Sequence, residues 1–266
     1  MRRPTGEHAD VVASWSGGID STGVAAHLLL NGYRVRLVTL RIYGGDFGDR
    51  EWAARETLLP VLRGMGDLVS HVEVKAPWIW AFSPDGVEIP RRNKHIIDHL
   101  LTVHCMPRGI KNVGMGEYIG ADSWLVRDHV GASDADHRSL ASYVFTEYGL
   151  DYRLLSLADF GESRYKVNRV RLLVDALGEK AASLTSNCLH DYIEHCGACY
   201  KCIERAAAFD LLESADHTTY LSDPREHEAY SLYRAQMVGQ NVVLPWGAIT
   251  PGENVKMPVP ALQEER

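Results

Sequence analysis

Ser16-Gly17-Gly18-Ile19-Asp20-Ser21-Thr22 joins an apolar run, Val11-Val12-Ala13, to a segment of helical period that ends at Leu30. A strand that turns through two glycines into a helix brings bare backbone N–H groups up to an oxyanion, and the helix dipole adds partial positive charge at the same point. Phosphate or pyrophosphate is the natural guest. Ser16 and Ser21 can add hydroxyl donors, and Asp20 can cap the helix or help hold a metal bound to the phosphates. The string lacks the G-x-G-x-x-G of a dinucleotide site and the Gly-Lys-Ser/Thr ending of a Walker loop. The plainer alternative is a strand-to-helix turn with a Ser or Asp cap.

A second chemistry lies near residue 200. Cys188, Cys196, Cys199 and Cys202 have the form C-x7-C-x2-C-x2-C, with Gly197 placed to permit a tight turn. Four thiolates at short spacing suit tetrahedral Zn²⁺, whose Zn–S bonds are about 2.3 Å. An iron–sulfur cluster also takes four thiolates, and His190 or His195 is an alternative ligand to one cysteine. With four protein ligands such a zinc is closed and structural, folding the segment without doing the chemistry. Four of the five cysteines fall in this cluster and only Cys105 stands apart, a distribution that suits a metal and not a disulfide framework.

The chain has 266 residues, 45% hydrophobic and 24% charged, as expected of a globular α/β domain with a core that needs no disulfides. A net charge of −7 argues against a broad nucleic-acid footprint and favours a small-molecule substrate. No apolar run approaches the ~20 residues of a membrane span, and Met1-Arg2-Arg3-Pro4 leads into polar residues, so the reading is cytoplasmic, with no membrane and no direct nucleic-acid partner.

The elements that must position these residues alternate. After the loop, a helix stops at Asn31-Gly32 and is followed by the β-rich run Val35 to Leu40. A helical period from about Glu51 to Leu62 then precedes a strand from Val69 to Val74. Helix and strand alternate again through Asn93 to Leu101 and Ile110 to Val113, which predicts an α/β fold with an open doubly wound parallel sheet. Ligands of such sheets sit at the carboxyl ends of strands, where the Ser16 loop lies. From Arg164 the apolar residues Val167, Val170, Leu173, Val174 and Leu177 keep helical spacing to about Gly178, a further helix passes through Phe209 and Leu212, and the Pro-rich stretch from about Leu244 reads as extended or disordered. The expected organisation is a nucleotide-binding domain over residues 8–182, a zinc-binding helical region over 183–222 packed on it, and a partly irregular extension over 223–266.

The loop resembles the SGGxDS loop of the N-type ATP pyrophosphatase (PP-loop) superfamily, whose members adenylate a substrate oxygen and release pyrophosphate. Loop and cysteine cluster together resemble the 7-cyano-7-deazaguanine (preQ0) synthase family. Between them, Phe47-Gly48-Asp49-Arg50 with Glu56 is similar to that family's YGQRH-x-x-E stretch, with Phe for Tyr, Asp for Gln and Glu51 at the His position. Ile89-Pro90-Arg91-Arg92-Asn93 is similar to PxRN, Ser163-Arg164-Tyr165-Lys166 to the TK segment, and Asp216-His217-Thr218-Thr219-Tyr220 to DPTxY. The resemblance spans about Val11 to Tyr220.

It implies an adenine nucleotide α-hydrolase-like, Rossmann-like fold and an enzyme using ATP, Mg²⁺ and Zn²⁺. Such an enzyme adenylates 7-carboxy-7-deazaguanine, lets ammonia displace AMP, activates the resulting amide again to give the nitrile, and forms a homodimer. Carried onto this chain, the nucleotide-binding set is Ser14, Ser16, Gly17, Gly18, Asp20, Ser21 and Thr22 with Arg92 and Asn93. Asp20, as a Mg²⁺ ligand, and Lys166, as a charge near the phosphates, are the catalytic pair. Cys188, Cys196, Cys199 and Cys202 hold the zinc. The family's YPDCR-like segment, expected near the deazaguanine, is matched only by Asp136 and Arg138, with His137 in place of the cysteine. That departure leaves open an enzyme that stops at the amide or joins a deazaguanine acid to another amine. tRNA thiolation, another activity of the superfamily, would need Cys105, and a non-catalytic nucleotide- or protein-binding relative is a further alternative.

Overall fold

The computed structural model describes residues 9–43, 49–77, 81–82, 88–89, 101, 104–105, 109–110, 112–114, 153–155, 166–188, 194–239, 243–244 and 247–248. Strand β1 (Val11–Ser14) leads through the glycine loop into α1 (Ile19–Leu30), and β2 (Val35–Tyr43), α2 (Asp49–Met65) and β3 (Leu68–Pro77) follow. Two short strands, β4 (Ala81–Phe82) and β5 (Glu88–Ile89), form an antiparallel pair. β6 (Asn112–Gly114) and β7 (Arg153–Leu155) complete the main sheet. Its order is β3-β2-β1-β6-β7 and every pairing is parallel. The α/β, open, doubly wound parallel sheet expected from the alternation is present.

The order has a functional consequence. The chain steps outward from β1 to β3, then returns to the other side of β1 at β6, so the direction of winding reverses beside β1. Open α/β sheets bind ligands in the crevice at such a reversal, outside the carboxyl ends of the strands. The glycine loop leaves the carboxyl end of β1 itself.

Val11, Val12 and Ala13 are fully buried, as befits a central strand covered on both faces. Val11 and Ala13 pack with Leu37, Leu58 and Leu62 on one face, and Val12 packs with Val38, Cys105 and Val113 on the other. Burial of Leu58 and Leu62, both at 0% exposure, stabilises α2 against the sheet by roughly 1.5–3 kcal/mol each. Residues from Ile19 to Leu29 of α1 are buried apart from Asp20, which is what a helix apolar nearly all round requires. Its second side is covered by α3 (Lys166–Leu177), where Ile19 meets Val167, Val170 and Leu173.

Gly178, at φ +78°, breaks the helical period into α3 and α4 (Glu179–Ser183). Helix α5 (Tyr200–Leu211) packs on α3, and Phe209 and Leu211 share its apolar cluster with Met237 of α6 (Tyr230–Gly239). The residues before Leu101 in the expected 93–101 helix, and the tail from residue 249, lie outside the described residues. Among the described residues no helix is long and apolar enough to cross a membrane.

Candidate active site and metal centre

The loop is built so that its carbonyls face protein. Arg55 of α2, only 2% exposed, donates from Nη1 to the Ser16 carbonyl at 2.9 Å, and the Ser186 N–H donates to the Gly17 carbonyl at 2.9 Å. In a trans peptide the C=O and the following N–H point in opposite directions. Tying back the Ser16 and Gly17 carbonyls therefore aims the Gly17 and Gly18 N–H groups away from Arg55 and Ser186. Gly17 sits at φ +85°, and a Cβ there would meet Arg55 Cγ at 3.0 Å. At Gly18 a Cβ would meet the Ser186 carbonyl at 3.0 Å. A Cβ at either position would make its neighbour give by a few tenths of an ångström, and Gly17 is further favoured by its left-handed backbone.

Ser21 closes the turn from inside. Its Oγ accepts from the Ser16 N–H at 3.1 Å, lies 3.1 Å from Ser16 Oγ, and donates to the Gly18 carbonyl at 3.4 Å. Ser16 Oγ accepts a long bond from Gly18 N–H at 3.3 Å. Gly18 is the N-cap of α1 and makes no side-chain cap, which leaves the first helical amides to an anion. Ser14 ends β1 opposite Val38. Thr22 is fully buried and accepts from Trp15 Nε1 at 3.1 Å, so its hydroxyl serves the core beneath the loop.

Asp20, in the first turn of α1, meets two cations of α3. Lys166 Nζ lies 3.0 Å from both carboxylate oxygens, and Arg169 Nη1 donates to Oδ1 at 2.7 Å. Lys166 and Arg169 side chains are 0% and 4% exposed, and Asp20 is 17% exposed. Burial by itself raises the Asp20 pKa, but the charges of Lys166, Arg169 and Lys201 hold it well below the ordinary carboxylate range. Asp20, expected as a Mg²⁺ ligand, and Lys166, the other half of the expected pair, are thus in direct contact at the first turn of α1.

The four cysteine sulfurs converge, all lying within 4.8 Å of one another. Cys196 and Cys202 are 3.9 Å apart, Cys188 and Cys199 3.9 Å, and Cys199 and Cys202 3.5 Å. A tetrahedron of bonds of about 2.3 Å has edges of about 3.8 Å, so the spacing fits one ion such as zinc. An iron–sulfur cluster places several irons and sulfides between the thiolates and needs them further apart. The Cys196 N–H reaches Cys188 Sγ at 3.4 Å and the Cys199 N–H reaches Cys196 Sγ at 3.2 Å, supporting thiolate charge. His195 Nδ1 is 3.9 Å from Cys202 Sγ, and the converging group is the four cysteines without it. His190 lies outside the described residues, as do Arg92, Asn93, Asp136 and Arg138.

Several residues that the sequence did not single out complete the site. Arg55 holds the loop, whereas neighbouring Glu56, matched to a family motif, is exposed. Ser186 joins the loop to the metal centre two residues before Cys188. Arg169 shares Asp20 with Lys166, and its only sequence signal is the i, i+3 spacing that puts it on the same helical face. Arg205, fully buried, donates to the carbonyls of Ala182, Ser183 and Thr185 at 2.9–3.2 Å and lies 3.5 Å from Asp216. It fastens α5 to the segment that carries Ser186.

No family model matches the chain. A bifunctional protein NifU/MnmA from Rubrobacter xylanophilus is 26% identical over 191 residues, which is 65% of this chain and 37% of that protein. The chain thus spans a little over a third of the length of the curated relative it matches. The fold is PP-loop-like. That statement rests on this similarity together with the parallel sheet and its glycine loop.

Proposed function

We propose that this chain is an ATP-dependent enzyme that activates the carboxylate of 7-carboxy-7-deazaguanine and transfers it to ammonia, ending at 7-cyano-7-deazaguanine. The observation that carries nucleotide use is the glycine loop, whose carbonyls are tied back by Arg55 and Ser186 while Asp20 brings Lys166 beside it. The deazaguanine substrate rests on the ordered motifs between loop and cysteines. A carboxylate oxygen attacking the α-phosphorus of ATP expels pyrophosphate, whose growing charge the loop amides and Lys166 stabilise. Ammonia then attacks the acyl carbon and AMP leaves, giving the amide. A second ATP, attacked by the amide oxygen, gives pyrophosphate again, and loss of AMP and protons leaves the nitrile. Mg²⁺ enters with ATP. Four-cysteine zinc is closed to substrate, so its chemistry is structural.

The similarity to bifunctional NifU/MnmA favours a second reading, tRNA thiolation. Cys105, the cysteine left outside the cluster, is fully buried among Val12, Val38 and Val113, which speaks against it as a sulfur carrier. The test is mass spectrometry of the product from ATP, ammonium and 7-carboxy-7-deazaguanine, with pyrophosphate measured alongside. A nitrile supports the first reading and an amide its shortened form. No pyrophosphate with any deazaguanine acid refutes it, and loss of a thiolation activity in Cys105→Ala would establish the second.

A further inference from the structure

We infer that His71 of β3 is a positioning residue for the glycine loop: through Thr39 it fixes the Trp15 carbonyl, and with it the peptide from which the loop departs. This rests on the reading that the loop takes a polyphosphate, and it adds to that site a residue from two strands away.

Register brings the three residues together. His71 stands opposite Leu37 of β2, and Leu37 opposite Ala13 of β1. Side chains alternate across a strand, so Thr39 shares the face of Leu37 and is the diagonal neighbour of His71, within reach of an aromatic ring. Trp15 continues the β1 register through its N–H, which donates to the Val38 carbonyl at 2.9 Å, and it packs in the same cluster as Val11, Ala13 and Leu37. The face of the sheet covered by α2 thus ends, on the loop side, in a row of Trp15, Thr39 and His71.

The hydrogen bonds along that row have one direction. Thr39 is fully buried, and its hydroxyl donates to the Trp15 carbonyl at 2.6 Å. The same oxygen lies 2.9 Å from His71 Nε2 and, its own proton being committed, must accept there, which puts the proton of that bond on Nε2. Burial lowers the His71 pKa, Arg55 and Arg63 of α2 lower it further and Glu73 opposes them, so at neutral pH the ring carries one N–H and Nδ1 has no hydrogen. The ring also meets Trp15 edge to face, with centroids 5.2 Å apart. β-Branching leaves Thr39 few χ1 rotamers, and the His71 donor selects the one whose hydroxyl reaches Trp15.

This relay completes the fixing of the loop. In a trans peptide the held Trp15 carbonyl turns the Ser16 N–H to the opposite side, where it donates to Ser21 Oγ at 3.1 Å. Arg55 and Ser186 hold the next two carbonyls, so three successive peptides are each set by a contact from a different element. A loop set before its anion arrives binds it with less ordering cost.

The test is calorimetry on the full chain with inorganic pyrophosphate and adenosine as probes, carried through a double-mutant cycle of His71→Leu and Thr39→Val. His71→Leu should weaken pyrophosphate about three- to tenfold, the equivalent of one neutral hydrogen bond, and leave adenosine unchanged. His71→Gln, whose amide keeps a donor, should recover most of that loss. In a Thr39→Val background His71→Leu should add nothing. A folded His71→Leu protein that binds pyrophosphate within twofold of wild type overturns the inference, as does an equal loss for adenosine. An undiminished loss in the Thr39→Val background overturns it too, because His71 would then act only as a packing partner of Trp15. Should the variants not fold, the ring-nitrogen chemical shifts of His71 in the wild-type protein must place the proton on Nε2 at neutral pH, and a proton on Nδ1 overturns the inference equally. A wild-type protein that binds neither ATP nor pyrophosphate refutes the nucleotide reading along with this one, whereas intact pyrophosphate binding with an inert His71 refutes this one alone.

Discussion

Gly197→Ala should cripple the metal centre through two separable costs. Gly197 has φ +78°, where an alanine is disfavoured by roughly 1–2 kcal/mol. Its added Cβ would also lie 1.7 Å from the Ser222 carbonyl oxygen, and real Cβ contacts are essentially never shorter than 3.0 Å, so the backbone at Ser222 must retreat by at least 1.3 Å. That retreat breaks the Ser222 Oγ bond to the Cys196 carbonyl at 2.9 Å, worth about 1 kcal/mol, before any cysteine moves. The minimum penalty is therefore about 2–3 kcal/mol, or roughly 5–10 °C in Tm for a chain of this size. Because folding of the segment and metal binding are coupled, the same energy appears as an approximately 30- to 150-fold loss of zinc affinity.

Two other glycines separate the terms. Gly178 has the same φ of +78° but nothing within 4 Å of its Cβ position, so Gly178→Ala should show the backbone cost alone. Gly64, inside α2 with nothing near it, should be neutral or gain about 0.5–1 kcal/mol as alanine. Zinc affinity is read by competition with a colorimetric chelator and stability by thermal melting. Equal losses in Gly197→Ala and Gly178→Ala would refute the steric argument, and unchanged zinc affinity in Gly197→Ala would refute the coupling.

The charge cluster predicts a pH limit. Asp20 and Asp216 both have pKa values held below the carboxylate range in the folded protein, burial opposing and Lys166 and Arg169, or Arg205, prevailing. Their contribution is complete above the unfolded value of about 3.9 and is lost as pH falls below it, so Asp20→Asn should flatten the acid limb of a stability–pH curve; an unaltered limb removes Asp20 from it. Asp20→Asn should also stop pyrophosphate release by unseating Lys166, and an unchanged rate would contradict that role. Arg205→Met should cost about 3–5 kcal/mol in chemical denaturation, because it leaves Asp216 buried without its cation. Chelating the zinc should speed amide hydrogen exchange at Ser186, whose N–H binds the Gly17 carbonyl; exchange there that ignores the metal would show the two sites to be independent.

What the sequence could reveal follows from how local each feature is. The glycine loop and the cysteine spacing are contiguous signals with a chemical meaning of their own, and the central strands read as apolar runs because both faces are covered. Arg55 and Ser186 carry no such signal, since each acts on loop atoms 39 or more residues away and only the packing of α2 and the metal segment brings them there. Lys166 was legible and its partner Asp20 was legible, but their contact across 146 residues depends on α3 lying against α1. Strand β7 has three residues, too few for a period. Helix α6 carries the helical spacing Tyr230, Tyr233 and Met237, but further apolar residues between them, Leu232, Ala235 and Val238, blur it as a period.

The nearness of a closed metal centre to the loop has a mechanical reason. Residues 184–188 form no helix or strand after α4, yet Ser186 must hold the Gly17 carbonyl at a fixed 2.9 Å if the loop amides are to stay aimed at an anion. An irregular segment is pinned by its side-chain bonds, and here each end has one. Arg205 grips the carbonyls of Ala182, Ser183 and Thr185 on the amino side, while Asn187 donates to the Lys201 carbonyl at 2.9 Å and Cys188 enters the metal set on the other. Cys199 and Cys202 tie that set to the start of α5, the helix that also carries Arg205 and Lys201. A metal held by these four cysteines, with no open coordination position, would thus act on the glycine loop by holding one backbone amide against the Gly17 carbonyl.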